Sequence, residues 1–461
     1  MKPEYLKLSS LSHEERTVLQ SKCVSGTKYY SSRKWFNPVY EKLEAILGKG
    51  NKSHEKSIRW FLSCTAKAIK NRGEGFFFGK HPSWFKDTDQ GIGYTNSDKI
   101  LDELYVQGYI DIWIGYVETW EANEDGTGYK AKGSHPSIVV MKQKYLDLWK
   151  GIDIRDMPEM KKESSVIIRD RQTKEEITLQ GHPGVKEARA TVDRLNKKLS
   201  ETEVRIKDEL CASVTYSRIF SDDLEKDGRF YVNGGGVQTA PAFLRKTSLY
   251  IGDHKTVELD FKAMHPSLLL EMMRITAKQE VREFCVSKDF SPYDVDIDDL
   301  IELDQEAIKR QSELLGANYN PVRNLKKQCL LVMINANSFV AARSAMSSKL
   351  KKDKDKPDPV DRLFTGIVGS VPVTEVLRRI EEHNDVISKY MYSDVGIALM
   401  NMDSRIAERV IDAILQEDEA VLCYHDSFIV KSYMADFLEK AMQKAWKDVM
   451  LDDYYCKIEK K

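Results

Sequence analysis

Two short apolar runs lie far apart in the chain, and an aspartate stands at the end of each. One reads Thr256-Val257-Glu258-Leu259-Asp260-Phe261, the other Val421-Leu422-Cys423-Tyr424-His425-Asp426-Ser427-Phe428. Both have the β-branched and aromatic make-up of strands, and turn-forming residues follow at the aspartate. A single aspartate after a strand is commonly only a turn former. Two of them can share hard divalent cations only if the fold lays the strands side by side, so the pair calls for a sheet whose neighbours are distant in sequence.

Between these runs, Arg323 and Lys327 stand four residues apart in a helix-like segment, with Asn335 eight further on. That spacing puts both cations on one helix face, where Arg grips phosphate oxygens bidentately and Lys acts as a point charge. Lys326 is turned away by about 100° and is expected in solvent. Taken alone, an Arg-x3-Lys pair usually marks a solvated face.

These motifs together resemble the right-hand polymerases, the superfamily that includes the DNA polymerase I group and the single-subunit phage-type RNA polymerases. His425-Asp426-Ser427 is similar to the third catalytic motif of the phage-type enzymes, a hairpin between two palm strands. Arg323 and Lys327 match their second motif, although Asn335-Ala336 stands where that family has Tyr-Gly. Asp260-Phe261-x3-His265-Pro266-Ser267 resembles the first motif of the protein-primed and replicative DNA polymerases. The resemblance covers about residues 215 to 450. It implies an α+β fold, with a right-hand palm, helical fingers and thumb, and two-metal nucleotidyl transfer with two Mg²⁺ ions on Asp260 and Asp426. A backbone carbonyl such as that of Phe261 would complete the ligand set, with Arg323 and Lys327 on the triphosphate.

His265, five residues after Asp260, falls where the resembling DNA polymerases place a bulky side chain under the sugar of the incoming nucleotide. A packed histidine under Pro266, or one that hydrogen-bonds a ribose hydroxyl, is the alternative. The contact-based expectation is a DNA polymerase that extends a primer. A primase or RNA polymerase that starts chains de novo, and a non-catalytic replication initiator or DNA-binding protein, stand beside it. Expected partners are a DNA template with primer or nascent strand, nucleoside triphosphates, and a helicase or other replication protein.

Just before the first metal motif, Arg229, Gly234-Gly235-Gly236, Gln238, Pro241 and Arg245 form a stretch suited to close backbone approach. Arg229, Gln238 and Arg245, with His425, are expected against template or primer. Near residues 400–405, where polymerase I relatives carry a Gln beside the primer, the position is ambiguous among Asn401, Asp403 and Ser404.

The formal charge of −1 over 461 residues gives no overall pull on a polyanion, so nucleic acid must be held by local patches. Seven scattered cysteines show no zinc-knuckle spacing and suit a reducing compartment. No run approaches a membrane span, and a cytoplasmic protein is expected.

Length predicts two or three domains: an accessory domain over 1–150, a linker over 151–184, and the thumb, palm and fingers over 185–461. The accessory domain is expected to be mainly helical. A helix over 55–71, a second over 97–107 stopped at Gly108, strands over 109–117 and 136–141 and a loop over 121–133 outline a winged helix. Within it, Lys28-Tyr29-Tyr30, Arg33-Lys34-Trp35-Phe36 and Phe76-Phe77-Phe78 read either as base-stacking surface or as residues half in the core. Further on, a thumb helix is predicted over 185–210, a loop over 351–361, and helices over 374–382, 404–415 and 434–450.

Overall fold

The computed structural model of the chain describes residues 3–26, 33–86, 92–122, 129–152, 165–177, 183–233, 237, 240, 242–287, 291–315, 319–356, 362–451 and 457–460. Its first part runs β1 (Leu6–Lys7), α1 (His13–Ser21), β2 (Cys23–Ser25), α2 (Arg33–Leu47), α3 (Lys52–Lys70), β3 (Gly75–Phe78), α4 (Pro82–Lys86), α5 (Tyr94–Val106) and β4 (Ile110–Ile114). A hairpin of β5 (Tyr116–Ala122) and β6 (Tyr129–His135) follows, then β7 (Ser137–Met141) and α6 (Gln143–Leu146). The strand order β1-β4-β7-β3-β2 makes a five-stranded sheet, which stands beside the helices of this part. Apolar residues at strand positions account for it: Phe76, Phe78, Ile110, Ile112 and Val139 are buried with Trp60 and Phe61 of α3. Phe76 and Phe78 are therefore core residues, while residues 28–30 and the side chains of 33–36 lie outside what is described.

Helix starts follow local capping. Ser12 and Glu15 form a capping box at α1, and the Asn51 side chain accepts from the Ser53 and His54 amides at α3. Gly108, at φ 74°, closes α5 as expected. The predicted strand over 109–117 breaks at Gly115, where a Cβ would meet the His135 carbonyl at 1.9 Å. The expected loop over 121–133 is shorter than predicted, because Tyr129–His135 pairs with Tyr116–Ala122.

The remainder begins with β8 (Val166–Arg169), inside the stretch expected as linker, which pairs in parallel with β11 (Tyr216–Ser221); β11 in turn pairs with β12 (Asp227–Val232). Between β8 and β11, α7 (Pro183–Glu201) stops nine residues short of its predicted end. Val204 and Ile206 enter a strand, β9 (Val204–Ile206), followed by β10 (Glu209–Leu210). After β12 come α8 (Ala242–Ser248), β13 (Leu249–Ile251), β14 (His254–Phe261), α9 (Met264–Arg274), α10 (Lys278–Ser287) and α11 (Gln305–Leu315). Then α12 (Pro321–Asn335), α13 (Phe339–Lys354), α14 (Val373–His383), α15 (Gly396–Gln416), the hairpin β15 (Leu422–Tyr424) and β16 (Ser427–Lys431), α16 (Ala435–Met450) and β17 (Ile458–Lys460) complete the order; a small two-stranded ladder of residues 302–303 and 367–368 lies apart.

The central sheet has the order β10-β9-β13-β14-β16-β15, with β17 on the free flank of β14 beyond β13. The fold is mixed α+β, with this antiparallel sheet compatible with a palm. Its strands alternate: Val257, Leu259 and Phe261 face the α16 core, where Phe261 packs 5.5 Å from Trp446 and 6.4 Å from Phe428. Glu258 and Asp260 face the other way. Residues 351–354, predicted as loop, are the last turn of α13. Buried Asp353 prolongs that order by accepting from the Leu363 and Phe364 amides and from Lys356. Among the described residues no helix is long and apolar enough to cross a membrane.

Candidate active site

Register brings the two aspartates together. β14 and β16 are antiparallel neighbours with Asp260 opposite Ser427, so Asp426 sits one residue beyond the ladder, in the turn joining β15 to β16. The Phe261 amide donates to the Asp426 carbonyl at 3.2 Å. His425, the other turn residue, takes φ 57°, a conformation costly for a non-glycine residue and characteristic of turns and functional sites. Both aspartates line one cavity of about 900 Å³, together with Arg229, His265, Tyr293, Asn320, Arg323, Lys327 and Asn335.

The opposite wall is α12. Asn320 accepts from the Arg323 amide and Pro321 opens the first turn, which fixes the start of the helix and points Arg323 inward. The Arg323 guanidinium lies 5.9 Å from the Tyr293 ring centre. Lys326 also lines the cavity, contrary to the expectation that it faces away; the cavity is wide enough to take in i, i+3 and i+4 of this helix. At the far end Asn335 donates to the Leu331 carbonyl at 2.7 Å and packs against Gly396, where a Cβ would stand 2.0 Å from its Oδ1. Asn335 is itself exposed, so only the end of its side chain meets Gly396.

His265 is 5% exposed and its Nε2 lies 3.1 Å from Asp403 Oδ2 and 3.0 Å from Arg229 Nη2. Arg229 Nε donates to both Asp403 oxygens, at 3.2 and 3.0 Å, and Nη2 donates to Oδ2. Burial works against the Arg229 charge, but Asp403 outweighs it and raises the guanidinium pKa. The three residues considered near 403 have different partners. Asn401 donates to the Leu224 and Asp227 carbonyls and Ser404 to Asp227, which leaves Asp403 as the α15 residue facing Arg229 and His265. Burial, reinforced by Arg229, holds His425 below the usual histidine pKa.

Arg245 is a correction. It is 7% exposed and spent inside the protein, donating to Glu258 at 3.1 and 3.2 Å and to the Ala240 carbonyl at 2.7 Å, with Tyr424 stacked at 4.5 Å. Glu258 also accepts from Ser427 at 2.6 Å, so Arg245 braces the two strands that carry the aspartates and has no face for a nucleic-acid backbone. Gln238 and Gly234–Gly236 lie outside the described residues.

Sequence reasoning missed Glu459, which lies opposite Asp260 on β17 and pairs with Lys262 at 3.2 Å. It missed Tyr293 and Lys349 as well, and only the Asn320-Pro321 pair offered a local signal, that of a capped helix start. Among the described residues no group of three or more acidic, His or Cys side chains is gathered to hold a metal ion by itself. Asp260 and Asp426 suit a hard ion that keeps its waters and takes further oxygens from a phosphate ligand.

No protein-family model and no curated protein matches the chain. Among solved structures it is similar to the POL domain of Pol1 from M. smegmatis in complex with DNA primer-template and dNTP, with a TM-score of 0.31 and 9% identity over 97% of this chain and 68% of that one. A likeness that distant carries no argument, and function rests on the site.

Proposed function

We propose that the protein is a metal-dependent nucleotidyltransferase that extends a primer on a DNA template. One observation supports this most: two carboxylates from strands distant in sequence share a cavity with a cationic helix face. Asp260 and Asp426 would hold two Mg²⁺ ions, which supply activation of the 3′-hydroxyl and charge neutralisation at the leaving pyrophosphate. Arg323, Lys327 and Lys326 bind and orient the triphosphate from the opposite wall, where negative charge grows during transfer. His265 forms the wall beneath the sugar and favours deoxynucleotides.

The test is incorporation of a labelled nucleotide on a primed template, with deoxy- and ribonucleotides and with an unprimed arm. D260A and D426A should each abolish incorporation while thermal unfolding and template binding stay near wild type. Incorporation retained in either variant refutes the assignment. Products on unprimed template would replace primer extension with de novo synthesis.

A further inference from the structure

The buried Arg229–Asp403–His265 cluster is not explained by packing alone. Asp403 is 2% exposed and stands on α15, whereas its two partners come from β12 and α9 and both line the cavity. Apolar side chains would join these elements at lower cost than a buried charge pair. The cluster does one thing that apolar packing would not: it fixes how an imidazole ring is turned and where its proton sits.

The surroundings of both ring nitrogens decide the tautomer. His265 Nε2 lies between an acceptor, Asp403 Oδ2 at 3.1 Å, and a donor, Arg229 Nη2 at 3.0 Å, so these two contacts by themselves fit either tautomer. Arg229 Nη2 already donates to Asp403 Oδ2. Nδ1 is buried and has no hydrogen-bond partner among the described residues, so a neutral ring with its proton there would leave a buried N–H unpaired, and the proton belongs on Nε2, towards Asp403.

Resting on the nucleotidyl-transfer reading above, we propose that Asp403 is a positioning residue for sugar selection: it clamps His265 in the Nε2–H tautomer and in one orientation, and this fixed ring is what discriminates between deoxy- and ribonucleotides. A ring free to swing would yield to an extra hydroxyl. Arg229, which donates to both Asp403 oxygens, holds the carboxylate in place.

Two measurements test it. In protein labelled with ¹⁵N-histidine, the His265 ring, assigned through H265Q, should show the Nε2–H tautomer in the wild type and lose it or exchange in D403A. In primer extension, D403A should reduce the kcat/KM ratio of the preferred over the other nucleotide class by about tenfold, as H265A does, and the double variant should be no worse than either single one. D403N, which keeps an acceptor for Nε2–H, should restore part of the ratio and guards against a D403A variant that fails to fold. An Nδ1–H tautomer in the wild type, or selectivity unchanged in both D403A and D403N, overturns the proposal while leaving nucleotidyl transfer intact. A wild-type protein that incorporates neither class refutes the parent reading, and the selectivity role with it.

Discussion

Lys327, in the cavity, and Asp227, outside its lining, show how differently single residues can act. In the proposed nucleotidyl transfer Lys327 would meet charge that develops in the transition state, so K327A should raise the nucleotide KM and also lower kcat, with kcat/KM falling on the order of 10²-fold. A change confined to KM would show that Lys327 only binds. Asp227 acts on stability. Burial is the main influence on its carboxyl and holds its pKa above the usual value, offset in part by the Arg229 amide at 3.3 Å. A carboxyl with a raised folded pKa binds more protons folded than unfolded, so stability is lost as pH rises through that interval. D227N, which tolerates the φ of 60° at this position, should therefore be more stable than wild type to urea at pH 7. The gain should vanish below the unfolded pKa of about 3.9. An equal gain at about pH 3 would point to another cause.

At the scale of elements, α12 meets α15 where Gly396 opens α15 and leaves room for the exposed Asn335 side chain at the end of α12. That side chain can turn aside, so G396A should stay within about 0.5 kcal/mol of wild type in urea melts. A loss of about 2 kcal/mol would show that the Asn335 side chain is locked in place. Elements were legible in the sequence where the pattern was local. The Gly108 stop of α5, the strand make-up of β14 and the helical spacing of Arg323 and Lys327 all reflect neighbours in the chain. What escaped depended on partners elsewhere: α7 ends early because Val204 and Ile206 find β13, and Arg245 is withdrawn because Glu258 and the Ala240 carbonyl accept from it. Asp403 belonged to a triplet whose members no spacing rule could separate, since only the packing of α15 on β12 assigns each its partner.

For the whole molecule, the five-stranded sheet and the central sheet are joined by specific contacts as well as by chain. Arg72 donates to the Thr202 carbonyl at 2.9 Å and to Ser213 Oγ at 3.2 Å, while the Ala212 and Ser213 amides donate to the Ser21 and Asn71 carbonyls at 2.8 and 2.7 Å. R72A should cost about 1–3 kcal/mol at this seam, through charged hydrogen bonds and the polar groups left behind. It should appear as faster hydrogen exchange at Ala212 and Ser213. Unchanged protection there would show that the seam holds without Arg72. A different consequence attaches to β17. β13 pairs only with the start of β14; around Asp260 the strand is flanked by β16 on one side and β17 on the other, and both are synthesised long after it. On a ribosome, this part of β14 must therefore wait unpaired, a template for the wrong neighbour, until the late chain arrives. Folding of this part of β14 is thus timed by the synthesis of β16 and β17, and a holdase that shields strand edges should raise the yield of native protein more than one that binds apolar helices.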